Sequence, residues 1–258
     1  MKTKIGRFEV YTIVAGEREG TTSIIPDADQ AIIKKFIPES GFVHSTNVYL
    51  VKTPDHNILI DTGFGGILFD KLREIGVEPD QINAVLLTHL HGDHFGGLQS
   101  DGKALFPNAK VYLDAREHWH FTKIAVNDAV VEAFAPYGAN LVTYNADPLG
   151  STPNPILPEI SAIANYGHTP GHTLFLVEDG GEKLIITGDF LHIAMVQFLY
   201  PEISATYDMD KSAAAASRRQ ILEYAASNNV LIGGMHVVPP AIGKVERDGN
   251  GFKFVPVS

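Results

Sequence analysis

The chain has 258 residues, 45% of them apolar, a formal net charge of −10 and no cysteine. That apolar share supports a substantial core, and the acidic balance argues against a nucleic-acid backbone as partner, because phosphate binding needs a basic face. Without cysteine there are no disulfides, thiolate nucleophiles or cysteine-based zinc sites, so any metal must be held by His, Asp or Glu.

The first residues alternate as in a strand, with Ile5, Phe8, Val10, Tyr11 and Ile13 as its apolar positions. They lack the long apolar core of a signal peptide, and no run of the chain is apolar enough for a membrane span, so a cytoplasmic location is expected. The segment TTSIIPDADQ reads as an entrance loop. NVYLV and NILID, separated by KTPDH, then form a β-hairpin that stops at Asp61. Leu68, Leu72 and Ile75 recur at helical spacing until Gly76 ends the pattern. INAVLLT is a nearly continuous apolar run of the kind found in strands buried on both faces. A helix is predicted around AREHWHFTKIAVNDAVVEAF, followed by the Pro-rich connection DPLGSTPNPILPEI.

TLFLV and KLIITGD make a second apolar hairpin that again ends in an aspartate, Asp189, which suggests a diverged internal duplication. The Ala-rich segment KSAAAASRRQILEYAAS predicts a helix with Asp208 or Asp210 as its N-cap, and VLIGGM is a strand leading to His236. Four predicted strands thus end in Asp61, His89, Asp189 and His236, and strand ends in α/β proteins are where ligands gather. A single layered α/β domain over residues 1–258 is expected.

THLHGDHFGG sits at the exit of the second of these strands. In an extended backbone His89 and His91 point to the same side and can share one ion. Asp93 and His94 follow Gly92, which lets the chain turn and offer this pair to a neighbouring ion. The bland alternative is a solvated loop rich in histidine. Four ligand-type residues around a glycine, at the exit of a buried strand, weigh against it. YGHTPGHT, TGD and GMH add His168, His172, Asp189 and His236, each beside Gly or Pro.

HLHGDH, GHTPGH, TGD and a late strand-terminal histidine together resemble the metallo-β-lactamase superfamily of dinuclear metallohydrolases. Within it, ITGDFLHIAMVQF and GKVERDGNGFKFVPV are similar to the methyl parathion hydrolase and lactonase-like group. The resemblance implies a four-layer αββα sandwich with two mixed β-sheets. It implies His89, His91 and His172 as ligands of one divalent metal and Asp93, His94 and His236 as ligands of a second, with Asp189 bridging. Zinc is the first expectation for both ions, and Mn, Fe or Co fit the same donors. His168 becomes a supporting or packing residue, and Asp61 supports the site from behind the ligands.

Two ions about 3.5–4 Å apart can hold a bridging hydroxide, so that no Ser or Cys nucleophile is required. Asp189 would position it, and Asp189 and Asp93 are the catalytic carboxylates. The resemblance implies ester or lactone hydrolysis, with phosphotriester hydrolysis as a side activity. Thioester or β-lactam hydrolysis and an iron-dependent redox protein are the alternatives. Phe64, His120, Phe121, His192 and Phe198 are the candidate pocket residues for a small-molecule substrate, with Phe190 and Trp119 as further aromatics. His118 and His120 do not form a metal pair, since alternate helical residues diverge. His44 and His56 are expected at the surface. A homodimer is compatible with the sequence, and neither a nucleic acid nor a membrane is an expected partner.

Overall fold

Residue parity along the apolar strands decides which layer each side chain enters, because successive side chains of a strand face opposite ways. In the computed structural model, which describes residues 1–152 and 155–257, Tyr49, Val51, Ile58, Ile60, Ala84 and Leu86 enter the core between two sheets. Their neighbours Val48, Leu50, Leu59, Val85 and Leu87 enter a second core, shared with Leu68 and Leu72 of the helix Ile67–Glu74 and with Val130, Ala133 and Phe134 of the helix Asp128–Phe134. On the far side, Ile221, Leu222 and Ala225 of the helix Lys211–Asn228 pack on the second sheet. The layers therefore run helix, sheet, sheet, helix.

The first sheet is ordered Lys2–Ile5, Phe8–Glu19, Val43–Lys52, Asn57–Ile60, Ala84–Leu86, Lys110–Asp114, Leu141–Tyr144. The second runs Asp147–Pro148, Ile160–Ala164, Thr173–Asp179, Glu182–Ile186, Leu231–Gly233, Ile242–Asp248, Gly251–Pro256, with Pro155–Leu157 paired on Ile160–Ala164. Both sheets are mixed. In the first, an antiparallel hairpin (Val43–Lys52 with Asn57–Ile60) is followed by the parallel partner Ala84–Leu86. In the second, Thr173–Asp179 with Glu182–Ile186 is followed by the parallel partner Leu231–Gly233. The repeated pairing puts Asp61 and Asp189 at equivalent exits. It also brings His89 and His236, each just beyond a parallel strand, to the same edge of the sandwich.

Several expectations change. The N-terminal stretch is a hairpin rather than one strand, turning at Gly6 and Arg7. TTSIIPDADQ is a packed cap, in which Ile24, Ile25 and Ala28 bury against Ile193 and Val196, since its three apolar side chains outweigh its polar neighbours. The long helix predicted over 115–134 is broken into Ala115–Trp119, a π-helical turn His120–Ile124, and Asp128–Phe134. Asn127 caps the last of these through Ala129 N. In the Pro-rich connection, Pro153 and Asn154 lie outside the described residues. Among the described residues no helix is long and apolar enough to cross a membrane.

One brace ties the two sheets at the site's edge. Asn47 Nδ2 donates to Gly234 O at 3.0 Å and Val237 O at 2.7 Å, and Tyr49 Oη donates to Gly234 O at 2.8 Å. All three bonds run from the first sheet to the loop that carries His236. Asn47→Ala leaves two buried carbonyl contacts unmade and should cost about 2–4 kcal/mol, read as a lower midpoint in chemical denaturation. An unchanged midpoint would show that this brace is unimportant.

Candidate metal centre

The strand Ala84–Leu86 ends in Thr88 and His89, and the short helix Gly92–Phe95 then returns Asp93 and His94 to the same place. Asp189 follows Glu182–Ile186, His236 follows Leu231–Gly233, and His168 arrives on the loop that enters Thr173–Asp179. His89, His91, His168 and Asp189 form one cluster of possible ligands, and Asp93, His94 and His236 a second.

Asp189 links the two clusters. Its Oδ1 lies 3.1 Å from both His94 Nε2 and His236 Nε2. Its Oδ2 faces His168 Nε2 at 3.5 Å and His89 Nε2 at 3.7 Å. Asp93 sits beside the second cluster, 3.7 Å from His94 Nε2 and 3.8 Å from His236 Nε2. One carboxylate oxygen thus serves each set of imidazoles.

The outer ring nitrogens are engaged by the protein. His94 Nδ1 donates to Asp61 Oδ2 at 2.8 Å, His236 Nδ1 to Ser45 O at 2.7 Å and His168 Nδ1 to Asp208 Oδ1 at 2.9 Å. His89 Nδ1 reaches Thr88 Oγ1 at 3.1 Å, and that hydroxyl donates to Asp61 Oδ2 at 2.8 Å. These acceptors fix the tautomers and turn each Nε2 lone pair inward. His89 Nε2, His91 Nδ1 and His168 Nε2 then form a triangle with edges of 3.0, 3.0 and 3.2 Å. Lone pairs that close repel unless a proton or cation lies among them. An ion held tetrahedrally at about 2.0–2.1 Å spaces its nitrogens by about 3.3 Å, so the triangle fits a zinc-sized ion. His94 Nε2 and Asp189 Oδ1 face each other 3.1 Å apart, buried and without a well-angled hydrogen bond, which suits a cation in the second cluster.

Protonation follows the same division. Burial pushes His89 well below the usual histidine range, His91 to about 4, and His168 down as well, leaving them neutral and able to coordinate. Burial also opposes charge on His94 and His236, but Asp189 overrides it and raises both, His94 strongly. Burial disfavours the Asp189 carboxylate too, yet His236 and His94 hold it well below the carboxylate range.

The structure sets His168, and not the His172 that the resemblance implied as a ligand, beside His89 and His91. His172 Nδ1 donates to Asn165 O at 3.0 Å and its Nε2 accepts from Asp189 N at 3.0 Å, so both ring nitrogens are occupied by backbone. It orients Asp189, while His168 faces His89 and His91. Asp208 is the reason: it takes the His168 Nδ1 proton, accepts from Ala205 N at 2.9 Å and pairs with fully buried Arg218 at 3.2 Å. Asp210, not Asp208, caps the following helix through Ala213 N. That helix presses on the His168 loop so closely that a Cβ at Gly167 would lie 2.2 Å from Ala214 N.

The cleft over the centre, about 460 Å³, is lined by His91, Asp93, Asp189, His192 and His236, with Phe64, Tyr207 and Arg18 among its walls. His192 is buried, its Nε2 is 3.3 Å from Asp189 Oδ2, and neither ring nitrogen has a hydrogen-bond partner. Phe64 is 68% exposed. Phe198 is not in the cleft, because its ring joins the inter-sheet core, stacked on Phe254 at 5.3 Å and near Phe190 at 6.1 Å. Phe121 packs on the outer core with its ring 6.4 Å from that of His91, and His120 lies against Phe121 at 5.0 Å; neither lines the cleft. Trp119 is exposed. His44 is buried rather than at the surface, with its ring 4.2 Å from that of His236, and burial drops it to about 3. His56 is half-buried and bound to Glu159 at 2.8 Å.

Nothing in the sequence around Glu117 marks it as a site residue. Buried beside the first cluster, it accepts from Leu90 N at 2.9 Å and from Gly171 N at 2.8 Å, and burial raises it to about 7.

Residues 41–236 match the Metallo-beta-lactamase superfamily. An atrochrysone carboxyl ACP thioesterase of Aspergillus chevalieri is 32% identical over 58% of this chain and 41% of its own. The chain spans under two thirds of the length of the curated relatives that it matches first. Among solved structures, AidC, a dizinc quorum-quenching lactonase in complex with a product, is 26% identical with a TM-score of 0.88, covering 100% of this chain and 97% of that one. The hydrolase AbOPH of the beta lactamase superfamily is 29% identical with a TM-score of 0.89 and the same coverage.

Because Asp189 raises the proton affinity of His94 and His236, zinc added to metal-free protein should release protons as it binds. Affinity should rise with pH, since each displaced proton opposes binding more strongly in acid. Indicator-dye titration in weak buffer measures the release, and the absence of any would contradict these raised values.

Proposed function

The chain belongs to the metallo-β-lactamase superfamily, and on that premise we propose that it is a metal-dependent hydrolase of esters or lactones. The observation that carries this reading is the Asp189 carboxylate directing one oxygen to each of two imidazole clusters beneath an open cleft. His89, His91 and His168 would hold one divalent ion, and Asp93, His94 and His236 the other, with Asp189 shared. Bound there, two ions supply a water of lowered pKa as nucleophile and Lewis-acid polarisation of the carbonyl.

The chain's own groups do the rest. His172 Nε2 holds the Asp189 backbone, so that the carboxylate presents both oxygens without rotating away. Asp189 would orient the attacking water and take up its proton, and the same proton would pass to the leaving oxygen through Asp93, whose side chain is 20% exposed at the cleft. His192 has a free ring nitrogen beside Asp189 and lines the cleft, where it can donate to the oxygen that gains charge. Phe64 and Tyr207 give an apolar wall for an acyl or aryl group. The relatives named as an ACP thioesterase and a lactonase favour acyl transfer to water, and thioesters are the second reading on the strength of the former. Phosphotriester turnover is a side activity of the same centre.

Metal-loaded protein should hydrolyse lactones or aryl esters in a panel that includes thioesters, phosphotriesters and β-lactams, and chelator should abolish turnover. Asp189→Asn should lower kcat/KM by about 10²–10⁴-fold. Activity that survives complete metal removal would end this reading. His168→Ala should remove one of two ions in elemental analysis, whereas His172→Ala should keep both with weaker binding; the opposite order would restore His172 as the ligand.

A further inference from the structure

The HLH loop and the GHTPGH loop come from different sheets, yet His89, His91 and His168 meet within 3.2 Å of one another. Among the described residues, Glu117 is the side chain that bonds the backbone of both loops. It stands on the short helix Ala115–Trp119, which begins where the strand Lys110–Asp114 ends and is capped by Asp114 through Arg116 N. Its two carboxylate oxygens divide: Oε1 accepts from Leu90 N, between His89 and His91, and Oε2 accepts from Gly171 N, three residues past His168. The side chain is 1% exposed, so no water competes for either bond.

The approach is also steric. A Cβ on Gly171 would lie 2.4 Å from Glu117 N. The GHTPGH loop therefore needs glycine here to come close enough for the second bond. His94 and His236 take their supports elsewhere, from Asp61 and from the Ser45 carbonyl.

We infer that Glu117 is a positioning residue that straps the two loops together and sets the spacing of His89, His91 and His168, and so the affinity of that ion but not of its neighbour. The inference rests on the two-ion reading above, which the metal content of the wild-type protein tests separately. A carboxylate can accept at both oxygens, whereas Gln must turn an NH2 group toward one of the two backbone N–H groups. Glu117→Gln thus breaks one bond and opposes donor to donor, with little change of shape.

The test uses zinc and cobalt(II) with a competing chelator, resolving the two ions of the full chain, together with thermal melts of the metal-free protein. Glu117→Gln should weaken one ion by ~10–100-fold, the range for partners that orient a ligand, and leave the other within about threefold. The cobalt spectrum should change for the weakened ion alone. Glu117→Asp should recover part of the loss. Gly171→Ala should reproduce it while leaving the carboxylate in place, which keeps the test open if Glu117→Gln folds poorly. Equal loss of both ions, or wild-type binding in Glu117→Gln and Gly171→Ala, would overturn the inference.

Discussion

A buried carboxylate shared between two groups of imidazoles is the interaction on which the rest depends. Asp189 is 3% exposed, and burying a charged carboxylate is expensive unless partners offset it. Among its nearest partners, His94, His236 and His168 have their outer nitrogens already spent on Asp61, Ser45 and Asp208. Their inner nitrogens are consequently committed to the centre. Asp189 in turn raises the proton affinity of His94 and His236 against their burial, and on the proposed reading the same donors would hold divalent ions. The centre is thus built for positive charge before any ion arrives, and the supporting hydrogen bonds make it so.

The fold serves this by repetition. Each sheet has an antiparallel hairpin followed by a parallel strand, and each copy delivers an aspartate from the hairpin and a histidine from the parallel strand. In the first copy the aspartate turns away to hold Thr88 and His94; in the second it faces the centre. The long helix Lys211–Asn228 completes the arrangement. Its start fixes the His168 loop through Asp210 N to Gly167 O at 2.8 Å, and its buried Arg218 neutralises Asp208 and ties down the carbonyls of Pro201 and Ile203. Arg218 therefore acts on the centre from two steps away.

How much of this could be read from the sequence depended on how local the determinant is. Both hairpins and the α/β class were legible, because alternating and continuous apolar runs report burial directly, whereas the four-layer order came from the family resemblance. HLHGDH was legible because four donor-type residues stand together around a turn. Asp189 and His236 were recognisable as polar residues closing apolar strands. The resemblance implies His172 as the ligand, and nothing local in GHTPGH distinguishes it from His168. The difference lies in Asp208, 40 residues on, and in the backbone N–H that occupies His172. Glu117 was hidden for a similar reason: its partners are backbone N–H groups 27 and 54 residues away, which leave no mark in its own surroundings. His44 looked like a surface residue because a histidine at a strand's start usually is one; here the ring of His236 covers it. Phe198 is equally apolar in a pocket or a core, and its ring enters the inter-sheet core.

The most direct measurement is a crystal structure of the zinc-loaded protein with anomalous data collected at the zinc edge. Two peaks should appear, one bound by His89, His91 and His168 and the other by Asp93, His94 and His236, with an Asp189 oxygen on each. A single peak, or a first ion bound by His172 with His168 turned away, would contradict the account.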